Sequence, residues 1–344
     1  MTMQMIAEIA GVSKATVSRV INGKPCVSEE TRRKVIDVIR RYNYVPNAFA
    51  RALNFNRSYT IGLIITEITN IVTAEITSHI EKAAKEKGYS VILCITRGKV
   101  ADEVAYVDLL RSRNVDGMII IHAGATEGKE VEHLFRLREE GMPFVLISEP
   151  IPGLETDYIV IDHERGAYDA VRHLLELGHR RIGYISGPPG LYTEVMRFKG
   201  YRRALTDYGV EVDERLVREG GYRIEDGYRA ALSLLSEERP TAIFCFNDME
   251  AIGVLQAAKQ LGLRIPDDLA LVGTDDIQIA PILEVPLTTS SFPKDRVGRA
   301  AVELLVDQIR AEEKSIPRPY KRVYIEHHLV IRDSCGARRK SPTG

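Results

Sequence analysis

The sequence predicts an all-α headpiece over residues 1–45, followed by an α/β body of two doubly wound parallel-sheet halves. Three observations predict it. Short amphipathic helices with clear start and stop signals fill the first 45 positions. From Tyr59 onward, short apolar runs alternate with amphipathic helices, the pattern of βαβ units whose strands are buried on both faces. Midway along that series, Pro150, Pro152 and Gly153 cluster between Glu149 and Asp157 and divide it into two similar parts. At 344 residues the chain exceeds one small core, as a multidomain reading requires.

The first helix opens at Thr2 and carries Ile6, Ile9 and Ala10 on its apolar face. It breaks at Gly11 and restarts after Ser13, an N-cap residue followed by Lys14-Ala15-Thr16. Val17, Val20 and Ile21 then recur at helical spacing. Two short helices joined by a Gly-containing turn form a helix-turn-helix, whose second helix enters the major groove of DNA. Lys14, Ala15, Ser18 and Arg19 lie off the apolar face and are free to touch a duplex. The plain alternative is an ordinary helical hairpin. Charge argues against it: residues 1–57 hold ten Lys/Arg against four Asp/Glu, a net +6, whereas the remainder is −7. A basic head on an acidic body predicts a polyanion bound at one end only.

After the loop at 23–27, Ser28 caps a third helix with Val35, Val38, Ile39 and Tyr42 as its stripe. Tyr44-Val-Pro46 ends it, because the residue before proline is driven out of the helical region. Asn47 can cap one short helix, 48–54, which at two turns is marginal in water. The expectation is a linker, 46–57, that becomes helical only with a partner. In the body, strands are expected at 61–66, 91–95, 117–121, 144–148, 158–161, 181–186, 242–246 and 269–273. Helices are expected at 74–87, 103–113, 129–140, 164–177, 194–207, 225–236, 248–260 and 294–310. Ligands of such sheets bind outside the carboxyl ends of the strands, so two facing halves predict a cleft. The expected division places 58–157 with 292–320 in one half, 158–291 with 321–333 in the other, and leaves 334–344 as a frayed tail.

Several function classes are excluded. The cysteines (26, 94, 245, 335) form no paired spacing, and Cys94 and Cys245 lie in apolar runs as small buried hydrophobes, which fits a reducing cytoplasm. No basic segment leading into a hydrophobic one opens the chain, and no apolar run approaches 18 residues, so neither secretion nor a membrane span is expected. Nothing resembles a nucleophile elbow, a dinucleotide loop or a P-loop; no enzyme activity and no cofactor are expected. The eight histidines show no metal spacing, and no metal is expected; His327 and His328, adjacent in a late strand, should point to opposite faces.

The serial order of these motifs resembles the lactose-repressor/galactose-repressor family of bacterial transcription regulators. The residues that carry the resemblance are Ala10-Gly-Val-Ser-Lys-Ala-Thr-Val-Ser-Arg-Val-Ile-Asn22, Tyr44-Val-Pro-Asn-Ala48, Leu177-Gly-His-Arg-Arg-Ile-Gly-Tyr-Ile-Ser-Gly-Pro188, Arg197-Phe-Lys-Gly-Tyr201, Phe246-Asn-Asp248, Val272-Gly-Thr-Asp-Asp276 and Pro286-Leu-Thr-Thr289. The resemblance implies a headpiece, a hinge helix and a periplasmic-binding-protein-like effector domain. It puts Lys14, Ala15 and Arg19 at base edges, with Ser13, Thr16 and Asn22 toward phosphates. It makes Leu53 a wedge for the minor groove, with Asn47, Ala50 and Arg51 beside it. It implies a homodimer on near-palindromic operator DNA; no leucine heptads after Asp333 suggest a tetramer.

For the cleft, the resemblance nominates Arg197 as the residue that grips the effector, with Asp275 and Asn247 as polar partners and Tyr222 covering one ligand face. Thr66, Ser148, Tyr192, Thr193 and Phe292 complete the set, Tyr192 and Thr193 being read as part of the loop after Gly187-Pro-Pro-Gly190. A capping role is the alternative for Asp275 and Asn247. The chain departs from the family pattern at Ser148, where many sugar-binding relatives carry an acid, at Leu191, and at Asn70-Ile-Val-Thr73, which lacks aromatics. A small sugar or sugar derivative is expected, with a nucleobase corepressor or a protein co-effector as alternatives. A solute-binding protein and an interaction-only dimer are the readings from other classes.

Overall fold

The computed structural model describes residues 1–21, 26–42, 57–122 and 128–337. The chain divides into two compact units, Met1–Tyr59 and Thr60–Gly344.

The first unit contains α1 (Met3–Ala10), α2 (Lys14–Ile21) and α3 (Glu29–Arg41). Thr2 caps α1 by accepting from the Met5 N–H, and Gly11 ends it in the left-handed region at φ 64°. Ser13 accepts from the Thr16 N–H at 3.1 Å and starts α2; Ser28 accepts from the Thr31 N–H at 3.3 Å and starts α3. Ile6, Ala7, Val17, Val20 and Val35 close the core between the three helices. Ile9, expected on the buried stripe, is instead 47% exposed, because three short helices converge on one small core and leave the far edge of α1 uncovered.

The second unit holds two six-stranded sheets. The first runs β11-β5-β4-β3-β1-β2 and is parallel throughout. Its strands are β1 (Thr60–Ile65), β2 (Ser90–Ile95), β3 (Gly117–Ile121), β4 (Phe144–Ile147), β5 (Asp157–Ile161) and β11 (Arg322–Ile325). On one face lie α4 (Ile71–Glu86) and α11 (Lys294–Glu313); on the other lie α5 (Val100–Ser112) and α6 (Glu132–Glu139). The second sheet runs β12-β10-β9-β8-β6-β7, parallel except for the β10–β12 pair. It comprises β6 (Ile182–Ser186), β7 (Val217–Glu219), β8 (Ala242–Cys245), β9 (Ala270–Thr274), β10 (Thr288–Ser291) and β12 (His328–Val330). Its faces are covered by α7 (His163–Glu176) with α8 (Tyr192–Asp207), and by α9 (Ile224–Glu237) with α10 (Asp248–Gln260).

The chain crosses between the sheets three times, and two crossings lie elsewhere than the sequence suggests. β5 pairs with β4, Val145 opposite Asp157, so the Pro150–Gly153 segment is a connection within the first sheet. Proline and glycine mark an interruption of regular structure, and an interruption need not change the sheet. The first crossing falls at Asp162, after β5. β11 also belongs to the first sheet, pairing with β5, so the last crossing falls at 326–327 and not at 321. Only the crossing at Phe292-Pro293 lies where the sequence puts it. Buried His163, Phe292 and His327 sit at the three crossings and pack on one another, with ring centroids 5.0–6.2 Å apart. The three short connections thus meet at one aromatic cluster between the two sheets.

The described cysteines are free, Cys94, Cys245 and Cys335 buried and Cys26 exposed. Among the described residues no helix is long and apolar enough to cross a membrane.

Candidate functional site

On the headpiece, Lys14, Ala15 and Arg19 are exposed, and Ser18 is partly exposed. Ser13 and Thr16 are engaged at the start of α2: their hydroxyls are 2.9 Å apart, and Ser13 caps the Thr16 N–H. A cap leaves a hydroxyl lone pair and the adjoining N–H groups at a positive helix terminus, so the cap and a phosphate contact are compatible. Asn22, Asn47, Ala50, Arg51 and Leu53 lie outside the described residues.

The body gathers its nominated residues at the carboxyl ends of both sheets. Arg197, on the second turn of α8, is 5% exposed. One guanidinium nitrogen donates to the Phe246 carbonyl and another to Asp275 Oδ1 at 3.1 Å; Nε has no partner among the described residues. The guanidinium carbon lies 4.5 Å from the Phe246 ring centroid, so the flat cation is stacked as well as paired. Asp275, just after β9, adopts φ 112°, a backbone region that non-glycine residues avoid and that persists where surroundings enforce it. What enforces it is visible: Arg197 holds its carboxylate and Lys294 Nζ donates to its carbonyl at 2.5 Å. Burial raises the Asp275 pKa, while Arg197 and Lys294 oppose that rise. Lys294 continues the chain of charges to Glu75 on α4, at 3.5 Å. Two cations and two carboxylates thus link α8 and β9 to helices on the other sheet.

Asn247 caps α10, accepting from the Glu250 N–H at 2.8 Å, so the alternative reading of a cap holds for it. Tyr222 is 43% exposed and meets Phe246 edge-on at 6.1 Å, which leaves a face of its own ring available. Phe292 is buried between His163 and His327 with Lys294 over its ring, a position at the crossings more than a wall of an open cleft. Thr66 follows β1 and is partly exposed; Ser148 follows β4 and donates to the Glu149 carbonyl at 2.9 Å. Tyr192 and Thr193 are a correction. They form the first turn of α8 and not a loop, because extended Leu191 ends the Gly187–Gly190 segment and Tyr192 can start the helix directly. Tyr192, with Glu149, Asp162, His163 and Met196, lines a concavity of 410 Å³ at the ends of β4 and β5. Burial raises the pKa of its phenol, and the nearby Glu149 carboxylate adds to that rise.

Sequence reasoning passed over Glu75, Lys294 and the buried acids behind the site. Asp248 accepts from the Thr289 hydroxyl at 2.6 Å and the Ile277 N–H at 2.9 Å, and burial beside Asp275 pushes its pKa up to about 8. Glu250 accepts from the Gly221 N–H under Tyr222, and burial holds its carboxyl well above the usual range. Burial also lowers the pKa of His327, to about 3, and that of His163, with Arg197 adding to both. Burial thus favours the neutral form of each of these groups. The acidic residues could have been suspected from Asn-Asp-Met-Glu250 at a helix start; Glu75 and Lys294 give no local signal.

Two family models match the chain: bacterial regulatory proteins of the lacI family over residues 2–47, and a periplasmic binding protein-like domain over 171–335. The chain is 35% identical to the HTH-type transcriptional repressor PurR of Vibrio atlanticus (strain LGP32) over 334 residues, covering 97% of this chain and 98% of that protein. The chain belongs to the LacI family. It is therefore a DNA-binding transcription regulator with a periplasmic-binding-protein-like body. Among solved structures, a Lac repressor dimer bound to operator and the anti-inducer ONPF matches with TM-score 0.85 at 27% identity, over 97% of this chain and 99% of that one. A CelR–cellobiose complex matches with TM-score 0.72 at 32% identity and the same coverage. These LacI-family relatives are regulators, and the helix-turn-helix and two-sheet body agree with them.

Proposed function

We propose that this LacI-family protein is a cytoplasmic repressor, not an enzyme, that binds a near-palindromic operator as a homodimer and answers to a neutral, sugar-like effector. The headpiece, 1–45, would read bases through Lys14, Ala15 and Arg19 and hold phosphates through Ser13, Thr16 and Asn22. The hinge, 46–57, would order on DNA and drive Leu53 into the minor groove, flanked by Asn47, Ala50 and Arg51.

The observation that carries the effector reading is the charge balance around Arg197. Arg197 and Lys294 face Asp275 and Glu75, and burial favours the neutral forms of the neighbouring histidines and of Asp248. A charged ligand would leave one charge buried without a partner, which is costly. A polyol brings no charge, and its hydroxyls both donate and accept. It can take Arg197 donors and Asp275 lone pairs together, with Tyr222 against its apolar face. The CelR relative is bound to cellobiose, which agrees. Arg197 is closed in on all sides here, so ligand entry requires the crossings at His163, Phe292 and His327 to flex as a hinge. Coupling would run from that motion to the hinge helices.

A nucleobase is the second reading, favoured by the identity to PurR. A planar base wants apolar faces on both sides. Here Tyr222 offers an exposed ring from one subdomain, Phe246 being buried beside Arg197, and Ile71 and Val72 stand after β1 where a second ring would be needed. Calorimetric titration with neutral mono- and disaccharides, set beside hypoxanthine and guanine, tests the choice. Saccharide binding that disappears in Arg197→Met supports the proposal; nucleobase binding without saccharide binding overturns it.

A further inference from the structure

Three side chains that no sequence spacing connects meet inside the first-sheet subdomain, away from the Arg197 site. Glu103 comes from the first turn of α5, His122 directly follows β3, and His133 lies on α6. His122 Nδ1 and His133 Nε2 both approach the same oxygen, Glu103 Oε1, at 2.7 and 2.8 Å. The three side chains are 1%, 2% and 0% exposed for His122, His133 and Glu103. Their donor atoms lie within 4.8 Å of one another.

We infer that Glu103, His122 and His133 form a binding site for a divalent transition-metal ion, Zn²⁺ being the best match. Two imidazoles and one carboxylate are the ligand set of three-residue zinc sites, with a fourth position left to water. Bonds of ~2.0–2.1 Å in a tetrahedron put ligand atoms about 3.3 Å apart. The two short edges must therefore open by about 0.5 Å, or the ion must take Oε2, and the edge between the two imidazole nitrogens, which lies within 4.8 Å, must settle near the same length. The carboxylate is buried, and a cation between the three groups supplies the positive charge that burial demands. In the metal-free state the same need is met by imidazole N–H groups; a neutral imidazole that ligates through the nitrogen now facing Glu103 carries its proton on the other ring nitrogen, so binding is a change of tautomer and not a loss of a proton. His133 Nδ1 has no partner among the described residues. A missing outer hydrogen bond costs ~10–100-fold in affinity, which sets the expectation at micromolar and not nanomolar binding. Bound metal would pin α5, the end of β3 and α6 together.

The test uses full-length protein stripped with a chelator and titrated with Co²⁺, followed by visible absorption, and with Zn²⁺ by calorimetry. One equivalent with the intense visible bands of four-coordinate cobalt is expected. His133→Gln and Glu103→Gln should each weaken binding by more than the ~10–100-fold cost of an outer-shell loss. Should Glu103→Gln fail to fold, His133→Gln carries the test, with near-ultraviolet circular dichroism reporting its fold. No binding by the stripped wild type at millimolar metal overturns the inference. So does a weak six-coordinate spectrum that is unchanged in folded His133→Gln, which would place the ion on exposed side chains.

Discussion

Replacing Arg197 by Met removes the guanidinium and keeps most of the side-chain volume. Asp275 is then 6% exposed and loses the charge that faces its carboxylate, while Lys294 remains on its carbonyl. The Phe246 carbonyl loses its donor and the stacked cation goes with it. Removing one member of a buried pair costs about 3–5 kcal/mol. Asp275 limits this by taking up a proton, since burial already raises its pKa and the variant raises it further. An expected loss of ~2–4 kcal/mol near neutral pH follows. The sign with pH is fixed: above the folded pKa of Asp275 the variant buries a bare carboxylate, and below it a neutral acid. The deficit of Arg197→Met relative to wild type must therefore shrink as pH falls. Urea unfolding of both proteins across a pH series measures it, with the slope checked for constancy between them. A difference within ~0.5 kcal/mol, the range of surface substitutions, refutes the reasoning. So does a deficit that grows on acidification.

Asp248 keeps its proton up to about pH 8 when folded, whereas an unfolded Asp has lost it well below that. The folded state binds the extra proton in between, so the contribution of Asp248 to stability declines as pH rises from about 4 toward 8; Asp248→Asn should lose that contribution, so its stability relative to wild type should rise with pH across this window in a pH series of thermal melts. A Cβ at Gly200 would sit 2.2 Å from the Glu164 carbonyl oxygen at the α7–α8 contact, so Gly200→Ala is expected to lose ~1–3 kcal/mol or more by urea unfolding. Ser28→Ala removes the cap of α3 and should lower headpiece stability by ~1 kcal/mol, read from the headpiece signals in a nuclear magnetic resonance melt.

The elements with strong periodicity were legible in the sequence, and those held by polar groups were not. Thr60–Ile65 and Phe144–Ile147 announce themselves as apolar runs buried between helix layers. Thr288-Thr-Ser-Ser291 does not, yet all four are buried, because Thr289 donates to Asp248, Ser290 bonds Gly166 and His327, and Thr288 accepts from Arg332. Hydroxyls with partners bury as well as methyl groups do, and hydropathy does not see the partners. β7, β11 and β12 are short and half-exposed and leave no run to read. Sheet membership was misread at β5 and β11 because a crossing is a matter of which neighbour accepts the strand. For the candidate site, the motifs nominate Arg197, Asp275, Asn247 and Tyr222, of which Arg197 and Asp275 pair directly. Glu75 and Lys294 were not, for their meaning lies in a contact between two helices some 220 positions apart, at residues 75 and 294. Glu103, His122 and His133 share that property, since separations of 19 and 11 positions put them on three elements.

The most direct measurement is the affinity of the dimer for a selected operator duplex, with and without a neutral saccharide, for wild type and Arg197→Met. The account predicts a shift of ~5–150-fold in the wild type and none in the variant. An equal shift in both proteins, or a shift produced by a nucleobase where no saccharide acts, would contradict it.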